Sequence, residues 1–217
     1  LESVRTSAIK ARDLVEGTGQ GLAMADLFNF RLSAHDTLRE RYGNFPRFDL
    51  GHDGARMAMV YQALKHGIAQ SVSITAARGL DTHDDNWATD QPDIQKGGWD
   101  LVATLLADLK NTPDPDVVGK KLIDTTTVVC FSEFSRTPKL NNRDGRDHAI
   151  VNACLLAGAG VPKNQLFGAT SEIGMNAMPI DPQTGQYSMS GITLTPNNIL
   201  ASVLANAGLD TDKLRHD

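Results

Sequence analysis

A layered α/β fold, with a mostly parallel sheet and helices on both faces, is what three features of this 217-residue sequence predict. Three short apolar runs, Ser71 to Thr75, Thr127 to Phe131 and Ala149 to Ala157, have the β-branched, two-faced apolar character of buried parallel strands. Segments with helical spacing of apolar residues alternate with them, the order expected of a layered α/β domain. Each run also lies beside a polar cluster: Asp81-Thr82-His83, Ser132 to Pro138, and Asp144 to His148. Open α/β sheets gather ligands outside the carboxyl ends of their strands. No linker-like stretch divides the alternation, so residues 1–217 read as one domain.

Taken in order, residues from about Val4 to Leu32 have a helical pattern interrupted around Gly17 to Gly21, and Arg39 to Asp53 reads as a Gly-, Pro- and aromatic-containing loop. Asp53 is a candidate cap for a helix through Met57, Val60, Leu64 and Ile68. After the first strand, Trp99, Leu101, Val102, Leu105, Leu106 and Leu109 mark an amphipathic helix, stopped by the turn-prone Asn111 to Pro115. The second and third strands follow. Gly158 to Pro162 breaks structure, and Asp181 to Gly191 has the Pro, Gly and Ser content of a hairpin or surface loop. Thr195 and Pro196 then have the residue types of an N-cap and first helical position, with Gly208 as the stop.

Composition narrows the function. At 41% hydrophobic and 22% charged the chain is ordinary for a globular protein. The formal charge of −5, with no block of Lys or Arg, argues against a surface built on phosphate contacts to nucleic acid. Small molecules are the expected partners. No apolar stretch approaches the roughly 18 to 20 residues of a membrane span. Cys130 and Cys154 both fall inside expected strands and read as small buried hydrophobes, with a bridge between neighbouring strands as the alternative. The chain starts at Leu1, so an N-terminal leader or larger N-terminal part is expected outside it. No Gly-x-Ser-x-Gly surrounds Ser132, Ser135 or Thr137, and neither a dinucleotide fingerprint nor a phosphate loop occurs, which removes serine-hydrolase and nucleotide-dependent readings.

The succession Leu80-Asp81-Thr82-His83, Ser132-Glu133-Phe134-Ser135-Arg136-Thr137-Pro138, Gly145-Arg146-Asp147-His148 and Leu194-Thr195-Pro196 resembles the C-terminal half of a bacterial family called domain of unknown function 1501. The resemblance runs from roughly Asp53 to Leu209, and Glu133 to Pro138 is its most specific part. That family looks like a branch of the alkaline phosphatase and sulfatase superfamily. The resemblance implies a doubly wound sheet, a dinuclear metal site, an exported protein of the periplasm or exterior, and hydrolysis or transfer of phosphate or sulfate esters. Residue by residue, Asp81, His83 and His148 look like ligands of one metal and Glu133 like the carboxylate of a second. Zinc is the expected ion, with manganese and calcium as alternatives. Three departures stand out: Asp81 and His83 are spaced more tightly than in alkaline phosphatases, Phe134 stands where the second metal's histidine is expected, and the nucleophile belongs to a preceding half.

The chemistry is coherent in itself. Histidine nitrogen and carboxylate oxygen suit a zinc-type cation, and three such ligands leave a position for water or substrate. Arg136 and Arg146 are the expected catalytic residues, offering planar donor forks to a small tetrahedral anionic ester. Every one of these residues also has a plainer use. Asp81 and His83 can be a hydrogen-bonded loop pair, Glu133 an ion-pair partner of Arg136 or Arg146, and Asp144 and Asp147 props for Arg146 and His148. Asp84 and Asp85 read as solvated or turn-forming, and His35, His52, His66 and His216 as structural or surface residues. Two functions therefore stand side by side: a metal-dependent ester hydrolase, and a non-catalytic exported binding or assembly module.

Overall fold

The computed structural model describes residues 41–42, 52–67 and 69–209, in two compact units, Leu1–Thr125 with Leu140–Arg146, and Thr126–Lys139 with Asp147–Asp217. The expected helix between Val4 and Leu32, and all of the Arg39 to Asp53 loop except Arg41, Tyr42, His52 and Asp53, lie outside the described residues.

In the first unit, helix α1 spans Asp53–Lys65. Its cap is His52 rather than Asp53: the His52 Nδ1 accepts the Gly54 N–H at 3.1 Å. Asp53 instead opens the helix and pairs with Arg56 one turn on, a carboxylate placed at the positive end of the helix dipole. Met57, Ala58 and Val60 are buried, at the helical spacing the sequence shows. Helix α2 spans Asp90–Asn111 and packs against α1. The sequence marks it only from Trp99, because Pro92 and Gly97-Gly98 hide its start. Pro92 sits in the first turn, where a missing N–H costs nothing. Gly98 is where the Ala76-Ala77 backbone crosses the helix, and a Cβ there would lie 2.9 Å from the Ala77 Cβ. Val102, Leu105 and Leu109 face the core, each worth about 1.5–3 kcal/mol of burial. Trp99, at the margin of that face, is half exposed.

One carboxylate shares that buried face. Asp108 accepts the Tyr42 hydroxyl at 2.6 Å and a hydrogen bond from Arg41. Burial first, and the Asp108 carboxylate second, raise the Tyr42 pKa, so the phenol stays protonated as the donor. The Tyr61 hydroxyl pairs with Thr112 Oγ1 at 2.9 Å and ties the two helices at their ends.

His66 closes α1, its Nε2–H bonding Gln62 Oε1 at 3.0 Å. Burial, and secondarily the Lys65 charge, lower its pKa from the usual 6.5. The folded state thus binds fewer protons than the unfolded chain in mild acid. Its stabilising share is complete above about pH 6.5 and is lost as pH falls through the folded pKa. His66→Gln is expected to remove that slope. Urea midpoints of the two proteins between about pH 7.5 and about pH 5 should show wild type losing ground to the variant; parallel curves would contradict the assignment.

The second unit overturns the predicted fold class. Strands β1 (Thr127–Phe131) and β4 (Cys154–Gly158) form one two-stranded antiparallel sheet, and β2 (Ser135–Arg136) and β3 (His148–Ala149) another. Among the described residues there is no parallel sheet and no helix-covered layer. An apolar run signals extended backbone without specifying its partner, and each expected strand illustrates this. Thr127 to Phe131 is a strand, paired antiparallel from Thr127↔Gly158 to Phe131↔Cys154. The Ala149 to Ala157 run is split between two ribbons. Ser71 to Thr75 carries no strand assignment and is largely exposed, the two helices having supplied the core of its unit.

The register also settles the cysteines. Cys130 pairs with Leu155 and Cys154 with Phe131, so the two thiols point to opposite faces of the ribbon and cannot bridge. Cys130 is half buried, which pushes its thiol pKa up, whereas Cys154 is exposed rather than a core residue.

Helix α3 spans Pro196–Asn206 with Thr195 as cap, as the sequence predicts. Asn198 Oδ1 accepts both the Thr195 N–H at 2.8 Å and its hydroxyl at 2.7 Å. Asn206 at the other end donates to Thr127 Oγ1 at 2.8 Å and to the Ala159 carbonyl at 2.6 Å, fastening the helix to β1. The segment around Asp181 to Gly191 folds back on Ile180, which bridges both Tyr187 and Ile192 and is 1% exposed. No helix among the described residues is long and apolar enough to cross a membrane.

Candidate metal centre

In the first unit the Asp81-Thr82-His83 segment is anchored through its middle residue. Thr82 is wholly buried, and its hydroxyl donates to Gln91 Oε1 in the first turn of α2 at 2.6 Å. Asp81 and His83 flank that anchor and are more exposed. His83 Nε2 lies 2.9 Å from Asp81 Oδ1. Two ligand atoms on one tetrahedral zinc, each about 2.0–2.1 Å from the metal, sit about 3.3 Å apart. The pair is therefore spaced close to one edge of a metal's coordination polyhedron.

The Asn141 to Arg146 loop is laced to the same segment. Asn141 Nδ2 donates to the His83 carbonyl at 3.0 Å. Its Oδ1 accepts the Arg143 N–H at 2.9 Å and the Gly145 N–H at 3.0 Å, holding the turn closed. Asp144 bridges Asp84 and takes a left-handed φ of 58°, a conformation short polar side chains tolerate. Arg143 Nε pairs with Asp84 at 3.2 Å. The Arg146 N–H reaches the Thr82 carbonyl at 3.4 Å, and its guanidinium lies 4.1 Å from the centroid of the Trp87 ring. Asp84 and Asp144 thus hold loop to segment, where the sequence reads Asp84 as solvated or turn-forming and Asp144 as a prop for Arg146 and His148. The reading missed Trp87, Asn141 and Gly145. An Asx turn in Asn141-Asn142-Arg143-Asp144-Gly145 was visible in the sequence; its partner was not.

In the second unit the short ribbon β2–β3 places Arg136 opposite His148, so their side chains share a face. The imidazole of His148 is stacked on Phe134, with ring centroids 3.8 Å apart and planes 25° from parallel. The Arg136 guanidinium lies 5.5 Å from the same ring's centroid. Two hydrogen bonds extend the pairing: Thr137 N–H to the Asp147 carbonyl at 2.9 Å, and Asp147 N–H to the side-chain Thr137 Oγ1 at 3.1 Å. The hydroxyls weighed as nucleophiles are committed to carbonyls. Ser132 donates to Phe134 O at 2.7 Å, Thr137 to Lys139 O at 2.9 Å, and Ser135 to Val151 O.

Of the four ligands the sequence proposes, Asp81, His83 and His148 offer a group of donors of the type a metal ion takes, the first two paired in the first unit and His148 on β3 of the second. The donor set fits: one carboxylate and two imidazoles suit zinc or manganese better than calcium, which prefers oxygen throughout. Glu133 is exposed, stands outside that group, and forms no ion pair among the described residues. Of the two arginines, Arg136 lies on the face of His148, while Arg146 spends its flat side on Trp87.

Short antiparallel ribbons, a helical pair and an Asp/His ligand group define this as a mixed helix-and-ribbon protein with a candidate metal centre. The chain belongs to the family described as Protein of unknown function (DUF1501), which it matches over residues 6–215. No curated protein and no solved structure matches it.

Proposed function

We propose that the protein binds one divalent cation, zinc by preference, through Asp81, His83 and His148, and acts there on a small phosphate or sulfate ester. The observation that carries the reading is the Asp81–His83 pair, its ligand atoms 2.9 Å apart, with a second imidazole, His148, shortly after the loop laced to that pair. Chain connectivity supports it: the backbone of Arg146 is bonded to Thr82, and His148 follows two residues later, within about 7.6 Å of chain. A bound cation would lower the pKa of its water and neutralise charge on a phosphoryl or sulfuryl oxygen. Arg136, on the face of His148, is the group to bind and orient the anion with its donor fork. Arg146, stacked on Trp87, serves the loop that carries His148. The reading rests on ligand chemistry, because the alkaline-phosphatase-like sheet implied by superfamily resemblance is not what the described residues form.

A second reading has its own support. The hydroxyls of Ser132, Ser135 and Thr137 all donate to backbone carbonyls, so the one proton of each is committed there rather than to an activating base. A metal-binding module without turnover of its own accounts for that as well. Calorimetric titration of the chain with zinc, followed by assays on generic phosphate and sulfate esters, separates the readings. Binding with turnover that His83→Ala abolishes supports the hydrolase. Binding without turnover supports the module, and a folded chain that binds no divalent cation refutes both.

A further inference from the structure

We propose that Phe134 is a positioning residue, the platform that fixes the ring of His148 for its role as a ligand. The inference rests on the metal-binding reading of His148 and goes beyond it by giving a task to the residue that looked like a missing ligand. An imidazole can turn about two side-chain torsions, and a ring stacked on its face limits both. Here its flat face is covered by the Phe134 ring at 3.8 Å, nearly parallel. Stacking occupies the face and leaves the ring's edge, where both nitrogens lie, turned outward. A ligand histidine needs that edge presented in one direction.

The sequence places Phe134 to do this. It directly precedes β2, whose Arg136 is registered opposite His148. The residue before a two-residue ribbon can reach across its mouth onto the facing side chain. Ser132 fixes the approach of the segment by donating to the Phe134 carbonyl at 2.7 Å. The Arg136 guanidinium lies 5.5 Å from the Phe134 centroid. One aromatic ring therefore bounds both the candidate ligand and the candidate anion-binding group. Holding a rotamer-poor ring rather than adding a second metal ligand explains why phenylalanine suits this position.

The test has two arms on the whole 217-residue chain. In metal-free protein, proton–carbon NMR of the imidazoles, assigned with His148→Gln, reads the Phe134 ring current on the His148 ring protons. Phe134→Leu is expected to move those signals downfield, whereas Phe134→Tyr leaves them near wild type. In the second arm, zinc titration is expected to give about a 10-fold weaker affinity for Phe134→Leu, within the range of losing a group that orients a ligand, with Phe134→Tyr restoring it. Circular dichroism checks folding, and Phe134→Met replaces the leucine variant if that one does not fold. Unchanged His148 signals in the leucine or methionine variant overturn the proposal whatever the metal does. Moved signals with unchanged zinc affinity also overturn it. If wild type binds no zinc, the ligand reading fails, and with it the positioning role, while the NMR arm still reports whether the stack exists.

Discussion

Replacing His148 with alanine is expected to weaken zinc binding by more than 10- to 100-fold, the loss typical of removing even a group that only orients a ligand. In the proposed ligand set His148 is one of three donors, and without it a cation would keep only the adjacent carboxylate and imidazole of Asp81 and His83. Glu133→Gln is the informative companion. Family resemblance gave Glu133 a metal, but it is exposed and outside the ligand group, so this variant should bind zinc as wild type does. Calorimetry on the three proteins in one buffer reads the comparison. Equal affinity for His148→Ala and wild type would remove His148 from the site, and a large loss on Glu133→Gln would restore a second carboxylate to it.

The contrast between those two residues shows what the sequence could reveal. Helices were legible where either a cap or a period was plain: Thr195-Pro196 at α3, and Met57 and Val60 in α1. The start of α2 was hidden because Pro92 and Gly98 are helix-compatible only through position in the first turn and a neighbouring backbone. Strand existence at Thr127 to Phe131 was legible, but its direction was not. An apolar run has the same composition whether its partner is parallel or antiparallel, and the partner, Cys154–Gly158, was folded into a longer run with His148-Ala149. The site fared differently. Asp81, His83 and His148 announced themselves by residue type, while the groups that hold them, Thr82, Asn141, Gly145 and Phe134, act through backbone contacts and ring stacking that spacing does not encode.

Gly145→Ala is expected to cost about 3–5 kcal/mol of stability and to weaken zinc binding with it. Gly145 is buried, and its backbone is not left-handed, so conformational freedom is not the reason for glycine here. Space is: a Cβ would overlap the His83 carbonyl and crowd the Asp84 nitrogen. Both are backbone atoms, so no rotamer change relieves the overlap, and the loop must lift from the Asp81 to Asp84 segment. Lifting it breaks the Asn141 to His83 bond and the Arg146 to Thr82 bond, at about 1 kcal/mol each, on top of about 1–3 kcal/mol for overpacking. Gly97→Ala supplies the opposite sign. That glycine is exposed in the interior of α2 with nothing within 4 Å of its would-be Cβ, so alanine should stabilise by about 0.5–1 kcal/mol through helix propensity alone. Urea unfolding of the three proteins measures both, and zinc titration of Gly145→Ala at a temperature where it remains folded reads the site. If Gly145→Ala unfolds within about 0.5 kcal/mol of wild type, as ordinary surface substitutions do, the loop is not clamped on His83. A destabilised variant with undiminished zinc affinity would show instead that the clamp supports the fold but does not set the position of the His83 ring.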